Sequence, residues 1–213
     1  MVAQDCKQCS VFEKSFPRFL SRNDIDNLNE KKSLLSYKKG QAIFTSGTSP
    51  NGAYCLNKGK VKIYKIGTHG KEQIIRFVLP GELFGLSSVV CDKNYTTTAV
   101  TIEDCLVCII PKHDFINLLD KFPQLSNSII SIISERLEEA TNKIISLSQK
   151  HVRSRLAEAL IYLNTIFQTE DSPLGNVVIS LTRQDLANLV GTATETIIRL
   201  LSDFKNENYI AIK

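Results

Sequence analysis

The spacing of apolar and polar positions changes twice along the chain, and each change announces a different kind of structure. Residues 1–32 are polar and irregular except for "SRNDIDNLNEKK", which puts Ile25 and Leu28 on one face of a short helix beginning after Ser21. From about Leu34 to Pro111 the apolar runs are short and β-rich: "QAIFTSG", "GAYCLNKG", "KVKIYKIG", "EQIIRFVLPG", "TTTAVTIED" and "CLVCIIP". Glycines from Gly40 to Gly85 punctuate them. Short strands at regular spacing with glycine turns predict a sandwich or barrel. "THGKEQ" is a polar turn between two such runs and predicts a hairpin.

Beyond Pro111 the period becomes helical. "KHDFINLLDKFP" predicts a short helix stopped at Pro123. In the long stretch that follows, Ile130, Ile133, Leu137, Ala140, Ile144 and Leu147 are spaced 3, 4, 3, 4 and 3 residues apart, the seam of a coiled coil. Ile129 and Ile132 add a second apolar stripe. One helix cannot bury both stripes against itself. The expectation is that one packs on the β-rich part and the other on the same helix of a second chain. From His151, "VRSRLAEALIYLNTIF" predicts an amphipathic helix with Leu156, Ala159, Leu160 and Leu163 inward. "QTEDSPLGN" reads as a loop and "VVISL" as a short strand.

The next stretch, "TRQDLANLVGTATETIIRLLSDFK", carries the clearest functional pattern. Thr182 followed by Asp185 marks a helix start. Leu186, Ala187 and Val190 form an inner face, and Gly191 supplies a sharp turn. A second helix then buries Ile197, Leu200, Leu201 and Phe204, and the small Ala187 lets it cross closely. This is the spacing of a helix-turn-helix whose second helix enters the DNA major groove. Thr194, Glu195, Thr196 and Arg199 fall in the first two turns of that helix, where base edges are met. Arg199 can donate twice to guanine O6 and N7, and Glu195 can accept from a cytosine amino group. The same two residues would also suit a solvated ion pair four positions apart. The surrounding architecture favours DNA.

Composition narrows the class. A chain of 213 residues with 43% hydrophobic and 23% charged residues can bury a globular core, and a net charge of +4 fits DNA binding only if it is local. No run of about 18 apolar residues is present, and the N-terminus has no apolar leader core. A cytoplasmic protein without a membrane partner is expected. Its six cysteines should then be reduced thiols. Cys55, Cys105 and Cys108 lie in strand-like runs, as small hydrophobes often do, whereas Cys6 and Cys9 form a C-x-x-C pair in a polar arm. Phosphate loops, metalloprotease helices and nucleophile elbows are missing from the sequence, so no enzyme is expected. His69, His113 and His151 sit in no ligand motif for haem or for a histidine-clustered metal.

Together, the glycine-rich β region, the long seam helix and "LTRQDLANLVGTATETIIRLLSDFKNENYI" resemble the Crp/Fnr family of bacterial transcription regulators, from "CKQCS" to "YIAIK". The resemblance implies an α+β chain. An N-terminal double-stranded β-helix (a jelly roll like cyclic-nucleotide-binding domains) with its arm would span residues 1–122. A dimerisation helix would span 123–150, and a winged helix-turn-helix 151–213, with most of the wing beyond Lys213. It implies a homodimer on double-stranded DNA with a two-fold site of the TGA type. Thr182, Arg183, Thr192, Thr194, Glu195, Thr196 and Arg199 would face that DNA. Glu195 and Arg199 would read a G·C pair, while Thr194 stands where cAMP-responsive members carry a second arginine. Ala193 occupies the usual capping position, so Thr192 is expected to cap the helix one residue early. RNA polymerase is the further partner that activation would require.

The effector is constrained in the same way. The resemblance puts the effector pocket at Phe84, Gly85, Leu86, Ser87, Ser88, Thr96 and Thr97. Leu86 stands where cyclic-nucleotide members have glutamate, and Thr96 or Thr97 where they have the phosphate-pairing arginine. A buried phosphate without that guanidinium would be costly, so cAMP is not the expected ligand. The oxygen-sensing branch is the nearer match, and it implies Cys6, Cys9 and Cys108 as ligands of an iron–sulfur cluster. The position of its third arm cysteine is Ser15, so a four-thiolate set is one ligand short. Cys105 is a candidate replacement, although it follows Asp104 at a strand start. The other reading makes Cys6 and Cys9 a thiol–disulfide pair, with Cys108 in the core.

Overall fold

The computed structural model describes residues 5–168 and 177–212. It divides into two compact units, one running up to Lys65 and including Arg76–Leu137, the other made of Ile66–Ile75 and Glu138–Lys213. The long helix is therefore shared between the units, and a hairpin tip joins the second one.

In the first unit, three 3-10 turns at Cys6–Gln8, Phe12–Lys14 and Phe16–Phe19 lead to α1, Arg22–Lys31. Ser21 caps α1 by accepting from the Asp24 N–H, and Ile25 and Leu28 are buried beneath it. Eight strands follow among the described residues: β1 Ser33–Tyr37, β2 Ala42–Phe44, β3 Gly52–Lys58, β4 Val61–Ile66, β5 Glu72–Val78, β6 Leu83–Phe84, β7 Thr98–Thr101 and β8 Cys105–Pro111. They form two four-stranded sheets, β1-β8-β3-β6 and β2-β7-β4-β5. A short helix, α2 (Leu86–Val90), lies between β6 and β7.

Strand β3 is buried on both faces, and its two-residue period separates two cores. Tyr54 and Leu56 join Phe44, Val61, Phe84 and Tyr95 in one. Ala53 and Cys55 join Cys6, Ile25, Leu28, Phe115 and Leu125 in the other, beneath the arm and helices. Those helices include α3 (Lys112–Lys121) and the start of α4 (Pro123–Gln149). Pro123 both ends α3 and opens α4, where its missing N–H costs nothing.

The two stripes of α4 have different fates. Leu125 and Ile129 are buried, and Ile132 packs against the same core. Ile130, Ile133, Leu137 and Ile144 are 62%, 40%, 69% and 67% exposed in the single chain. Ala140 is also exposed, and Leu147 is half-buried.

The second unit contains α5 (Val152–Phe167), α6 (Arg183–Val190) and α7 (Thr194–Asn206). Leu156, Ala159 and Leu163 face its core, with Leu160 half-buried. "VVISL" is not a strand: residues 177–181 adopt no regular secondary structure. A short run with four apolar residues makes a strand only where a partner satisfies its backbone, and sequence cannot supply the partner. The loop expected at 168–176 falls, from 169 onward, outside the described residues.

Candidate nucleic-acid interface and thiol cluster

Helix α6 starts where its side chains dictate. Thr182 Oγ1 accepts from the Asp185 N–H at 3.0 Å and donates to the Asp185 carboxylate at 2.8 Å. The helix ends at Gly191, whose φ of 74° lies in the left-handed region, with the Gly191 N–H on the Ala187 carbonyl at 2.8 Å. The last carbonyls of α6 are held by three donors. Gln73 Nε2 reaches Asn188 O at 2.7 Å, Lys143 Nζ reaches Leu189 O at 2.8 Å, and Arg155 reaches Gly191 O at 3.2 Å. Positive charge at a helix C-terminus is the favourable sign. Burial, and then the neighbouring Arg155, push the Lys143 ammonium below its ordinary range.

Helix α7 buries Ile197, Leu200, Leu201 and Phe204, which fixes its opposite face outward. Glu195 and Arg199 are exposed, and Thr194 and Thr196 are half-exposed beside them. Thr182 is exposed, and Arg183 and Thr192 are half-exposed at the start of α6 and in the turn. The predicted cap at Thr192 is corrected: Ala193 is the N-cap of α7 and no side chain caps it. The Thr192 N–H is instead used to close α6 on the Ala187 carbonyl. A residue that sequence reasoning passed over is Gln184, whose Oε1 accepts from the Thr194 hydroxyl at 2.8 Å. Gln184 also donates to Asn188 Oδ1 at 2.9 Å, so α6 orients a side chain at the start of α7.

The residues expected to form an effector pocket do not share one environment. Phe84 points into the core between the sheets and Leu86 into the other core. Ser87 and Thr96 are exposed, with Gly85, Ser88 and Thr97 half-buried. Gly85 has a φ of 77°, and a Cβ there would meet Tyr54, Tyr95 and Phe44 at 3.2–3.5 Å. Those rings stack closely, with Phe44 and Tyr95 centroids 4.0 Å apart and Tyr54 and Phe84 centroids 5.3 Å apart.

The cysteines sort by strand face. All six are free thiols. Cys55 and Cys108 are direct cross-strand partners in β3 and β8. Cys6 and Cys55 share the core beneath the arm, and Cys108 packs against it. Asn57, two positions along β3 from Cys55, donates to Cys9 Sγ at 3.1 Å. Lys32, 7% exposed, places its ammonium 2.8 Å from Cys6 Sγ. Burial first, then repulsion from Cys108, Cys9 and Cys6, push the Cys55 thiol far above its usual range. Burial raises Cys6 as well, against the opposing pull of Lys32, and raises Cys108 to about 11. Ser15 is buried and donates to the Phe12 carbonyl at 3.1 Å. Cys105 does not join this group. It lies in the core between the sheets, with its Sγ on the Lys60 carbonyl at 3.4 Å. Three residues from Cys108 along a strand, it must face the other way. That parity was available in the sequence; the approach of Cys55 to the arm was not.

The donor set fits iron–sulfur chemistry in kind, since such clusters are held by cysteine thiolates. Among the described residues no three His, Cys, Asp or Glu side chains form a group that could hold a metal ion.

Two family models match the chain: the cyclic nucleotide-binding domain over residues 34–122 and the Crp-like helix-turn-helix domain over residues 154–213. The fumarate and nitrate reduction regulatory protein of Vibrio cholerae is 31% identical over 98% of this chain and 83% of its own length. The chain belongs to the Crp/Fnr family of transcription regulators. The transcriptional activator protein Anr of Pseudomonas protegens is 30% identical over 97% of this chain and 84% of its own. The solved structure of FixK2 from Bradyrhizobium japonicum shares the fold, with a TM-score of 0.75, 22% identity and coverage of 85% and 88% of the two chains. As a Crp/Fnr regulator the protein is a DNA-binding transcription factor and not an enzyme. No helix of the described residues is long and apolar enough to cross a membrane.

Proposed function

We propose that this Crp/Fnr regulator acts in the cytoplasm as a homodimer reading a two-fold, TGA-type duplex. The observation that carries the reading is the division of α7. Ile197 is fully buried, while Glu195 and Arg199 stand free on the outer face. Arg199 pairs with guanine and Glu195 with cytosine. Thr182, Arg183, Thr192, Thr194 and Thr196 contact phosphates and neighbouring bases. The exposed stripe of Ile130, Ile133, Leu137, Ala140 and Ile144, running on to Leu147, is covered by the same helix of a second chain. RNA polymerase is the partner through which activation would act.

The test is a gel-shift titration with a palindromic TGA-type duplex against one with scrambled half-sites, at two salt concentrations. Selective binding by a dimer is expected. Equal binding to both duplexes that vanishes with salt would reduce the interface to phosphate attraction.

The effector is not cAMP. Leu86 is buried in an apolar core and offers a cyclic nucleotide no polar contact, and neither Thr96 nor Thr97 carries the charge a phosphate needs. Added cAMP should leave the DNA titration unchanged. A second reading is favoured by relatives named for anaerobic and fumarate–nitrate regulation, and by Cys6 and Cys9 lying near enough to Cys108 to act on its thiol. In that reading the thiols hold an iron–sulfur cluster that supplies redox sensitivity. Iron and acid-labile sulfide analysis of protein purified without oxygen tests it.

A further inference from the structure

We propose that Thr194 is a specificity-determining residue whose hydroxyl oxygen accepts from the amino group of adenine or cytosine, an assignment that rests on the reading of α7 as the DNA-facing helix. Gln184, Asn188 and Glu72 are the positioning residues that fix this polarity.

The four side chains form one hydrogen-bonded row, all within the second compact unit. The Thr194 hydroxyl donates to Gln184 Oε1 at 2.8 Å. Gln184 Nε2 donates to Asn188 Oδ1 at 2.9 Å, about one turn further along α6. Asn188 Nδ2 donates to Glu72 Oε2 on β5 at 3.4 Å. The neighbouring Gln73 also holds the Asn188 carbonyl, through Nε2 at 2.7 Å. Asn188 is only 8% exposed, so its amide needs partners inside the protein.

The direction of the row follows from its last member. An ionised carboxylate only accepts, whereas an amide can present either its oxygen or its nitrogen, and a hydroxyl can donate or accept. Turning both amides over would set Asn188 Oδ1 against the Glu72 carboxylate, acceptor against acceptor, at a buried residue where an unmade hydrogen bond is costly. The contact of 3.4 Å is long for a strong hydrogen bond, yet its sign is enough to decide which way Asn188 faces. Asn188 therefore shows its oxygen to Gln184, and Gln184 shows its oxygen to Thr194. The one proton of the Thr194 hydroxyl is committed inside the protein, and the acceptor side of its oxygen is what remains for a ligand.

Thr194 opens α7 and is half-exposed beside Glu195. Side chains at that place meet base edges when the helix enters a major groove. An acceptor there pairs with the N6 amino group of adenine or the N4 amino group of cytosine. Thymine O4 and guanine O6 and N7 are acceptors themselves and offer it nothing. A threonine free to turn would serve either class, so the row from Glu72 makes an indifferent side chain selective. Glu72 and Asn188 act through Thr194 and not on the base.

The full chain is titrated by fluorescence anisotropy with a two-fold TGA-type duplex and with every single-base variant of its half-site, changed in both halves. The proteins are the wild type, Thr194→Val, Glu72→Gln and the double variant, with thermal melting to check that each folds. At one position the wild type should prefer adenine or cytosine over guanine or thymine by roughly twofold to tenfold, the range of one neutral hydrogen bond. Thr194→Val keeps the shape and the methyl group but loses the oxygen, so this preference should vanish while discrimination elsewhere stays. Glu72→Gln supplies a group that can donate as well as accept, so the row can reverse. Preference at the same position should then weaken or turn toward guanine and thymine, whereas a merely structural Glu72 would lower affinity for all duplexes alike. In the double variant the two changes should not add. A wild type that discriminates, with an unchanged profile for Thr194→Val, would overturn Thr194 as a reader while leaving α7 on the DNA. A thymine preference kept by Thr194→Val would do the same, assigning the methyl group instead. An unchanged profile for Glu72→Gln, or additive changes in the double variant, would overturn the row as the source of polarity. A wild type that binds every duplex equally would remove the DNA reading itself.

Discussion

The helix-turn-helix and the thiol cluster are built in opposite ways. Every residue assigned to DNA lies between Thr182 and Arg199, and local spacing puts them on one face. The thiol site draws on Cys6 and Cys9, Lys32, Cys55 and Asn57, and Cys108, brought together by strand pairing and an arm laid over a sheet. A recognition helix can be written in one short stretch because its period decides which side chains face outward. A multi-ligand site is written in pieces, and its completeness depends on contacts between distant segments.

The largest effect should come from breaking the proposed pairing of chains, which would put two recognition helices on one duplex. Ile130→Glu with Ile144→Glu places charge in the exposed seam of α4. By the arithmetic of bivalent binding, affinity for a two-fold site should fall by roughly a hundredfold or more. Sedimentation should show monomers, and a dimer of unchanged affinity would mean the seam is not the interface.

Next is Arg199→Ala, expected to cost about 1–3 kcal/mol of discrimination at one base pair, or roughly fivefold to 150-fold. Fluorescence anisotropy with single-base variants of the site reads it. A uniform loss across all variants would assign Arg199 to phosphate instead.

Gly191→Ala probes the turn. At a φ of 74° a side chain is strained, and its Cβ would stand 2.9 Å from Leu147 Cδ2 and 3.2 Å from Gln73 Oε1. A loss of about 1–2 kcal/mol is expected in denaturant titrations. An unchanged midpoint would show that the turn does not need glycine. Thr182→Ala should cost about 1 kcal/mol by removing the cap on α6.

A comparable effect, confined to alkaline pH, concerns the thiol on the far side of the sheet. Burial, chiefly, raises the Cys105 thiol to about 11. The folded chain therefore holds its proton more tightly than the unfolded chain does. That contribution is complete below the ordinary thiol value of about 8.5 and is lost as pH rises through the folded value. Stability of the metal-free protein should drop by about 1–2 kcal/mol across this window on account of Cys105. Cys105→Ala should flatten that part of the pH profile, and parallel profiles for the two proteins would refute the assignment.

Local physics made much of the chain legible in advance. Ile25 and Leu28 gave α1, the heptad spacing gave α4, and Thr182, Gly191 and Ile197 gave the helix-turn-helix with its outward Glu195 and Arg199. Each follows from a repeat or cap acting within a few residues, so no distant partner is needed to read it. Other features depended on such partners. The run at 177–181 had strand composition but is not paired. Thr192 had the chemistry of a cap, but its backbone was already committed to closing α6. Parity within one strand already set Cys105 on the face opposite Cys108, but only the pairing of β3 with β8 beneath the arm put Cys55 in the same core as Cys6. The sequence by itself determined the helices and the faces they turn outward, because a helix satisfies its own hydrogen bonds. The tertiary structure alone decided which thiols meet, because a strand acquires its neighbours only when the chain has folded around it.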